Sequence, residues 1–293
     1  MTNTPINFKQ ERDFGDLLNV TFSFISLEFK KLATAILYFV VPFFLLASIA
    51  MTIYAVKAQE MAQTIVQGGK PDPLAIFATM GSLLGYVGVT MVLSIIASSV
   101  LMGTVLGYIK LYIQKGSEGF SIMDIWLQVT HYFLPFLIAT IVVGLVVTVG
   151  LIFCLIPGIY LGVSLSIIFS IMIFEDIPFS AAFSRSFKLM KTNWWTTFGV
   201  LIVATIIVYL LSILVSIPSI LLGFKSMLTN LKDGHPMNLD LSLGFYIVSS
   251  LTRLFTQIFL VIPMVITAFL YFNIVEKMEK PSVNKIDQIG ENE

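Results

Sequence analysis

Six apolar stretches, each bounded by charged or turn-forming residues, dominate the chain: Leu32–Val56, Ser82–Ile109, Phe133–Ile156, Ile159–Phe174, Trp195–Leu222 and Leu254–Val275. A helix needs about 20 mostly apolar residues to cross a bilayer, so the six runs predict six crossings. The fourth is short. It either begins inside the Pro157-Gly158 turn or sits where the bilayer is thin. No Asp, Glu, Lys, Arg or His falls within these bounds, and Arg253 stands at the edge of the sixth run. If that helix begins near Phe245, Arg253 becomes a cation snorkelling to the interface. Pro42 and Pro263 lie mid-span and predict kinks, because proline removes a backbone donor and crowds the preceding turn.

The segments between the runs keep a helical rhythm. Phe179, Ala182, Phe183, Phe187, Met190 and Trp194 form a stripe, with Ser180, Ser184, Arg185, Lys188 and Lys191 largely opposite. Such 3.6-residue spacing marks an amphipathic helix. Asp176 and Pro178 supply start signals for it. The pattern predicts an interfacial helix over about 178–192, apolar face down in the headgroup plane. Trp194 and Trp195 then mark the interface where the next span dives. The alternative is a loop helix packed on its neighbours.

Ser121 and Asp124 have the spacing of a capping box. Ile122, Ile125, Trp126, Val129 and Phe133 follow on one face, which predicts a second such helix over about 121–132. Phe14, Leu17, Leu18, Phe22, Ile25 and Phe29 give a third over about 14–30, although Val20, Phe24 and Leu27 interrupt its polar face. The three stripes suggest an interfacial helix and a pair of spans repeated three times, on few shared identities.

Composition agrees. The 293 residues are 57% hydrophobic and 12% charged, with a mean hydropathy of +0.93, against about 25% charged in soluble domains. Net charge is zero, which speaks against a nucleic-acid partner. The single cysteine, Cys154, allows no intrachain disulfide. The first thirty residues lack a signal-peptide layout.

Orientation follows from lysine and arginine in the short loops. Twelve such residues fall on the side of both termini, four on the other. The expected fold is all-α: a polytopic integral membrane protein with six transmembrane helices and amphipathic interfacial helices on the cytoplasmic face. Residues 1–280 form one membrane domain, and 281–293 are expected as a disordered polar tail.

Chemistry is sparse. Without intramembrane charges, proton transport has no obvious carrier and intramembrane proteolysis no catalytic pair. His131 and His235 fall on opposite sides of the membrane, so a joint metal site is not expected, and no cofactor is implied. The segment Gln67–Pro73 contains Gly-Gly-Lys but lacks phosphate-loop spacing, and reads as an outer turn. Glu175 and Asp176 could serve as an acid pair for chemistry. The structural reading is that Asp176 caps the helix and Glu175 pairs with Arg185 or a lysine.

Small residues recur every fourth position at Gly158, Gly162, Ser166 and Ser170, and again at Gly81/Gly85 and Gly103/Gly107. Such stripes let helices approach closely. Packing within the bundle is their ordinary use; lining a lipid tail or another protein's helix is the sharper one.

The segment from Leu155 to Trp195 resembles the membrane domain of glycerophosphoryl diester phosphodiesterases and of many stand-alone bacterial proteins. The matching features are Ile156-Pro157-Gly158 with Tyr160, then Glu175, Ala182, Ser186, Leu189 and Asn193-Trp194. Residues 268–277 and 14–25 fit as well. In that family the phosphodiesterase activity belongs to a separate soluble barrel of roughly 250 residues, and only eighteen residues follow Val275. The resemblance therefore implies a membrane domain without the catalytic unit, and the expected location is a bacterial cytoplasmic membrane, with both termini placed on the cytoplasmic side by the charge count.

The function expected is non-enzymatic: a scaffold or accessory subunit whose collar, with Arg185, Lys188 and Lys191, holds anionic lipid or docks a membrane-protein partner. The alternative is lipid or amphiphile handling through an apolar groove. An enzyme acting through Glu175 or Asp176 is a third reading.

Overall fold

The computed structural model describes residues 6–66, 73–232 and 243–290. Ten helices follow in order: α1 Phe14–Leu27, α2 Phe29–Phe39, α3 Val41–Val66, α4 Pro73–Lys115, α5 Ile122–Phe153, α6 Leu155–Leu165, α7 Ile168–Phe174, α8 Phe179–Lys232, α9 Leu243–Ile258 and α10 Val261–Gly290. No strand occurs among the described residues.

Among the described residues, six segments are long and apolar enough to cross a membrane: Val41–Met61, Met80–Lys115, Ile122–Phe153, Leu155–Phe174, Phe179–Lys232 and Gly244–Met278. The chain is an all-α polytopic membrane protein. Helix α8 has 54 residues and α4 has 43. At 1.5 Å per residue they measure about 80 Å and about 65 Å, more than twice the bilayer's hydrocarbon thickness. Their ends therefore extend beyond the apolar layer.

Helix boundaries depart from the expected spans for local reasons. The first run is broken at Val40, with Pro42 in the first turn of α3; the sixth is broken at Phe259–Leu260, with Pro263 in the first turn of α10. Proline is tolerated there because the first-turn donors have no partner within the helix anyway. The expected mid-helix kinks are thus helix ends. Pro157 likewise sits in the first turn of α6, and the chain reverses at Cys154, whose backbone is extended (φ −167°, ψ 139°). The fourth span carries a second break at Ser166–Ile167.

Helix α10 continues to Gly290. Residues 291–293, most of the Gly-Gly-Lys turn (67–72) and His235 lie outside the described residues.

The chain divides into two compact units. The first comprises 1–39, 99–207 and 261–293; the second comprises 40–98 and 208–260. In the first, Leu17, Thr21 and Phe24 of α1 are fully buried, and α1 packs along α10. Phe8 stacks on Phe269 with ring centroids 4.3 Å apart, and Phe24 meets Tyr112 edge-on at 5.3 Å. The N-terminal strap is tied down at Arg12, whose backbone N–H donates to Asn273 Oδ1 at 2.9 Å. The Arg12 guanidinium lies over Phe269 and donates to the carbonyls of Phe8, Gln10 and Asn7.

In the second unit, α3 and α9 pack together. Thr52 and Ser250 share a hydroxyl hydrogen bond of 2.6 Å, and Tyr246 bonds Gln59. Much of this unit's surface is apolar and exposed, including Phe77, Leu84, Leu214 and Leu221, as lipid contact requires.

Each of the three expected interfacial segments buries part of its surface, while Phe179, Phe183, Phe187 and Trp194 of the α8 stripe stay partly exposed. Ile125 and Val129 in α5, and Ala182, Leu189 and Met190 in α8, are all buried. The segments 121–132 and 178–192 are not separate helices, since each continues into its span without interruption. The capping box at the start of α5 is present: the Asp124 N–H donates to Ser121 Oγ, and the Ser121 N–H donates to Asp124 Oδ2 at 2.7 Å.

The small-residue stripe is split by the break at Ser166. Gly158 presses on Leu151 and Gly150 of α5, while Gly162 faces Val147. Ser166 donates to the Val163 carbonyl, and Ser170 is buried with no hydrogen-bond partner. Gly103 and Gly107 face Val129 and Gln128, whereas Gly81 and Gly85 meet open space.

Candidate functional site

Helix α7 ends at Phe174 and α8 begins at Phe179. The turn between them carries both candidate acids. Asp176 adopts a left-handed backbone, φ +54°, which aspartate tolerates better than most residues. This turn sends the two carboxylates to different helices.

Glu175 faces α8 and α10. Arg185 Nε lies 3.0 Å from each of its carboxylate oxygens, and the Tyr271 hydroxyl donates to Oε1 at 3.1 Å. Both members of the ion pair are partly buried. Asp176 faces α5 and accepts from the Tyr132 hydroxyl. Tyr132 in turn accepts from Lys110 Nζ at 2.7 Å. The Tyr132 hydroxyl, with Lys110 and His131 nearby, holds the Asp176 carboxyl below the usual carboxylate range, against a smaller opposing effect of desolvation.

Asp176 therefore does not cap α8. The first bonds of that helix go from the Ala181 and Ala182 N–H groups to the Pro178 carbonyl. The two acids instead tie the turn to α4, α5, α8 and α10, which suits a structural lock.

The sequence-predicted cations separate. Arg185 is engaged by Glu175. Lys188 and Lys191 project from the exposed face of α8, which continues to Trp195, 78% exposed. Trp194 turns inward: its ring stacks on Tyr160 and Phe198, and its Nε1 donates to the Tyr160 carbonyl at 3.4 Å.

Three features escape a reading of apolar runs. A cavity of about 380 Å³ is lined by Lys9, Lys110, Gln114, Phe174, Tyr271 and Glu276, among others. Tyr132 and Tyr271 orient the acids. Glu28, only 8% exposed, interrupts α1 and α2 and accepts from Tyr108 at 2.6 Å and Ser117 at 2.8 Å. The available signal was tyrosine inside or beside apolar runs, since a buried hydroxyl needs a partner. Which acid it would meet was not readable.

No family model, curated protein or solved structure matches this chain.

Proposed function

We propose that this is a non-enzymatic scaffold or accessory protein of a bacterial cytoplasmic membrane, whose first unit engages anionic lipid headgroups on the cytoplasmic side. The observation that carries this reading is the exposed face of α8. Lys188, Lys191 and Trp195 lie at helical spacing on it, cations followed by an aromatic ring, just before a strongly apolar stretch. Each lysine near an anionic surface contributes about 1 kcal/mol, and tryptophan favours the headgroup zone. Both acids are held by tyrosine hydroxyls or arginine, which supports a structural role over catalysis. The resemblance of residues 155–195 to a membrane domain separable from its phosphodiesterase barrel agrees with this.

Arg185 leaves the lipid-binding set because it serves Glu175. The test therefore uses Lys188→Gln with Lys191→Gln. The double variant should fold as the parent does, yet co-purify with less phosphatidylglycerol and cardiolipin relative to zwitterionic lipid. An unchanged lipid profile would overturn the reading.

The orientation has its own check. Cysteines introduced at positions 69 and 234, in a Cys154→Ser background, should react with an impermeant thiol reagent added to intact cells. Reaction only after the membrane is broken would reverse the topology.

A second reading, lipid handling, draws on the cavity beside Lys9 and Lys110. Movement of labelled phosphatidylglycerol across proteoliposomes above the protein-free background would favour it.

A further inference from the structure

The sixth membrane segment holds a cation, Arg253, that makes no ion pair among the described residues. Arg253 is the eleventh residue of α9, so the helix does begin early enough for the snorkelling expected of it. Its side chain does something else. Arg253 lines a cavity of about 140 Å³ within the second unit, with Ser48, Thr90, Ser94, Gln257 and Phe44 among the other walls. Its Nη1 is buried and has no hydrogen-bond partner. A snorkelling arginine keeps its head in water; this one turns a donor into the protein.

The cavity's chemistry is that of a donor set awaiting an acceptor. No carboxylate is among its lining residues. The Thr90 hydroxyl is committed to the Tyr86 carbonyl at 2.8 Å, and Ser48 to the Ser250 carbonyl at 3.2 Å. The groups left to donate inward are Arg253, the Gln257 amide and the Ser94 hydroxyl. An unpaired guanidinium in a membrane helix is costly and usually marks a functional position. Its planar fork matches the oxygens of phosphate, and a cavity of this size admits a phosphate group but not a lipid's tails.

We propose that this cavity binds a phosphate oxyanion on Arg253, assisted by Gln257 and Ser94. The oxyanion is either free inorganic phosphate or the headgroup phosphate of a lipid whose tails remain outside. The site is independent of the lysine face on α8.

The test is thermal unfolding of the detergent-solubilised protein, titrated with inorganic phosphate against chloride at equal ionic strength. A parallel arm compares phosphatidylglycerol with diacylglycerol, which lacks the phosphate, in the Lys188→Gln/Lys191→Gln background, so that α8 cannot supply the response. The parent should melt several degrees higher with at least one phosphate-bearing probe. A response to inorganic phosphate assigns the free ion; one confined to phosphatidylglycerol assigns the headgroup. Arg253→Gln should weaken the apparent affinity at least tenfold, and Gln257→Leu several-fold. Absence of a response in both arms overturns the proposal, as does an Arg253→Gln variant that responds like the parent. Should Arg253→Gln fail to fold, Gln257→Leu decides: an unchanged response overturns the site.

Discussion

Gly158→Ala should destabilise the α5–α6 hairpin sharply, while Gly162→Ala, one turn further on, should be nearly neutral. A Cβ at Gly158 would lie 2.6 Å from the Leu151 backbone nitrogen and 2.5 Å from Leu151 Cγ. A side-chain tip can rotate away from an added methyl, but a backbone atom cannot, so the two helices would have to separate. Overpacking of this kind costs about 1–3 kcal/mol. At Gly162 the nearest atom is Val147 Cγ1 at 3.8 Å, an ordinary contact. There the alanine gains up to about 1 kcal/mol of helix propensity. Melting temperatures in detergent should therefore fall by several degrees for the first variant and hold or rise for the second. If Gly158→Ala melts with the parent, the close approach of the two helices is wrong.

Glu175→Ala and Arg185→Ala should each lower folded yield, and the double change should cost less than their sum. Fully buried pairs lose about 3–5 kcal/mol when one partner is removed. Here the side chains are 20% and 35% exposed, so water compensates in part and about 2 kcal/mol is expected for each single change. Loss of Glu175 strands both Arg185 and the Tyr271 hydroxyl. Loss of Arg185 leaves the carboxylate with Tyr271 alone. The coupling, read from melting temperatures or fluorescence-detected elution, should reach about 1 kcal/mol, as for residues in contact. Strictly additive losses would mean that the pair contributes nothing as a pair.

The helical and membrane character of the chain was legible because it is local. A stretch such as Trp195–Leu222 announces its solvent through length and hydropathy, whatever surrounds it. The Ser121–Asp124 cap was equally legible, since both partners lie three residues apart. Pro42 and Pro263 correctly marked discontinuities, but periodicity could not tell a kink from a helix end. That choice depends on whether the residues just before each proline keep their helical bonds. The stripe on α8 predicts a lipid-facing surface; Ala182 and Met190 of that stripe are buried while Phe179, Phe183, Phe187 and Trp194 stay partly exposed, and an apolar stripe does not say what it will touch.

The sequence by itself determined six apolar crossings, an all-α architecture, the start of α5 and the turn carrying Glu175 and Asp176. The tertiary structure decided the partners. Tyr271 reaches Glu175 across 96 residues, Tyr108 reaches Glu28 across 80, and Thr52 meets Ser250 across 198. It also turned Arg253 from an expected interfacial cation into the wall of a cavity. Hydropathy and capping act over a few residues of backbone, so one segment is enough to read them. The partner of a buried polar group is whichever donor or acceptor the packing of distant helices brings within about 3 Å, and no local pattern encodes that distance.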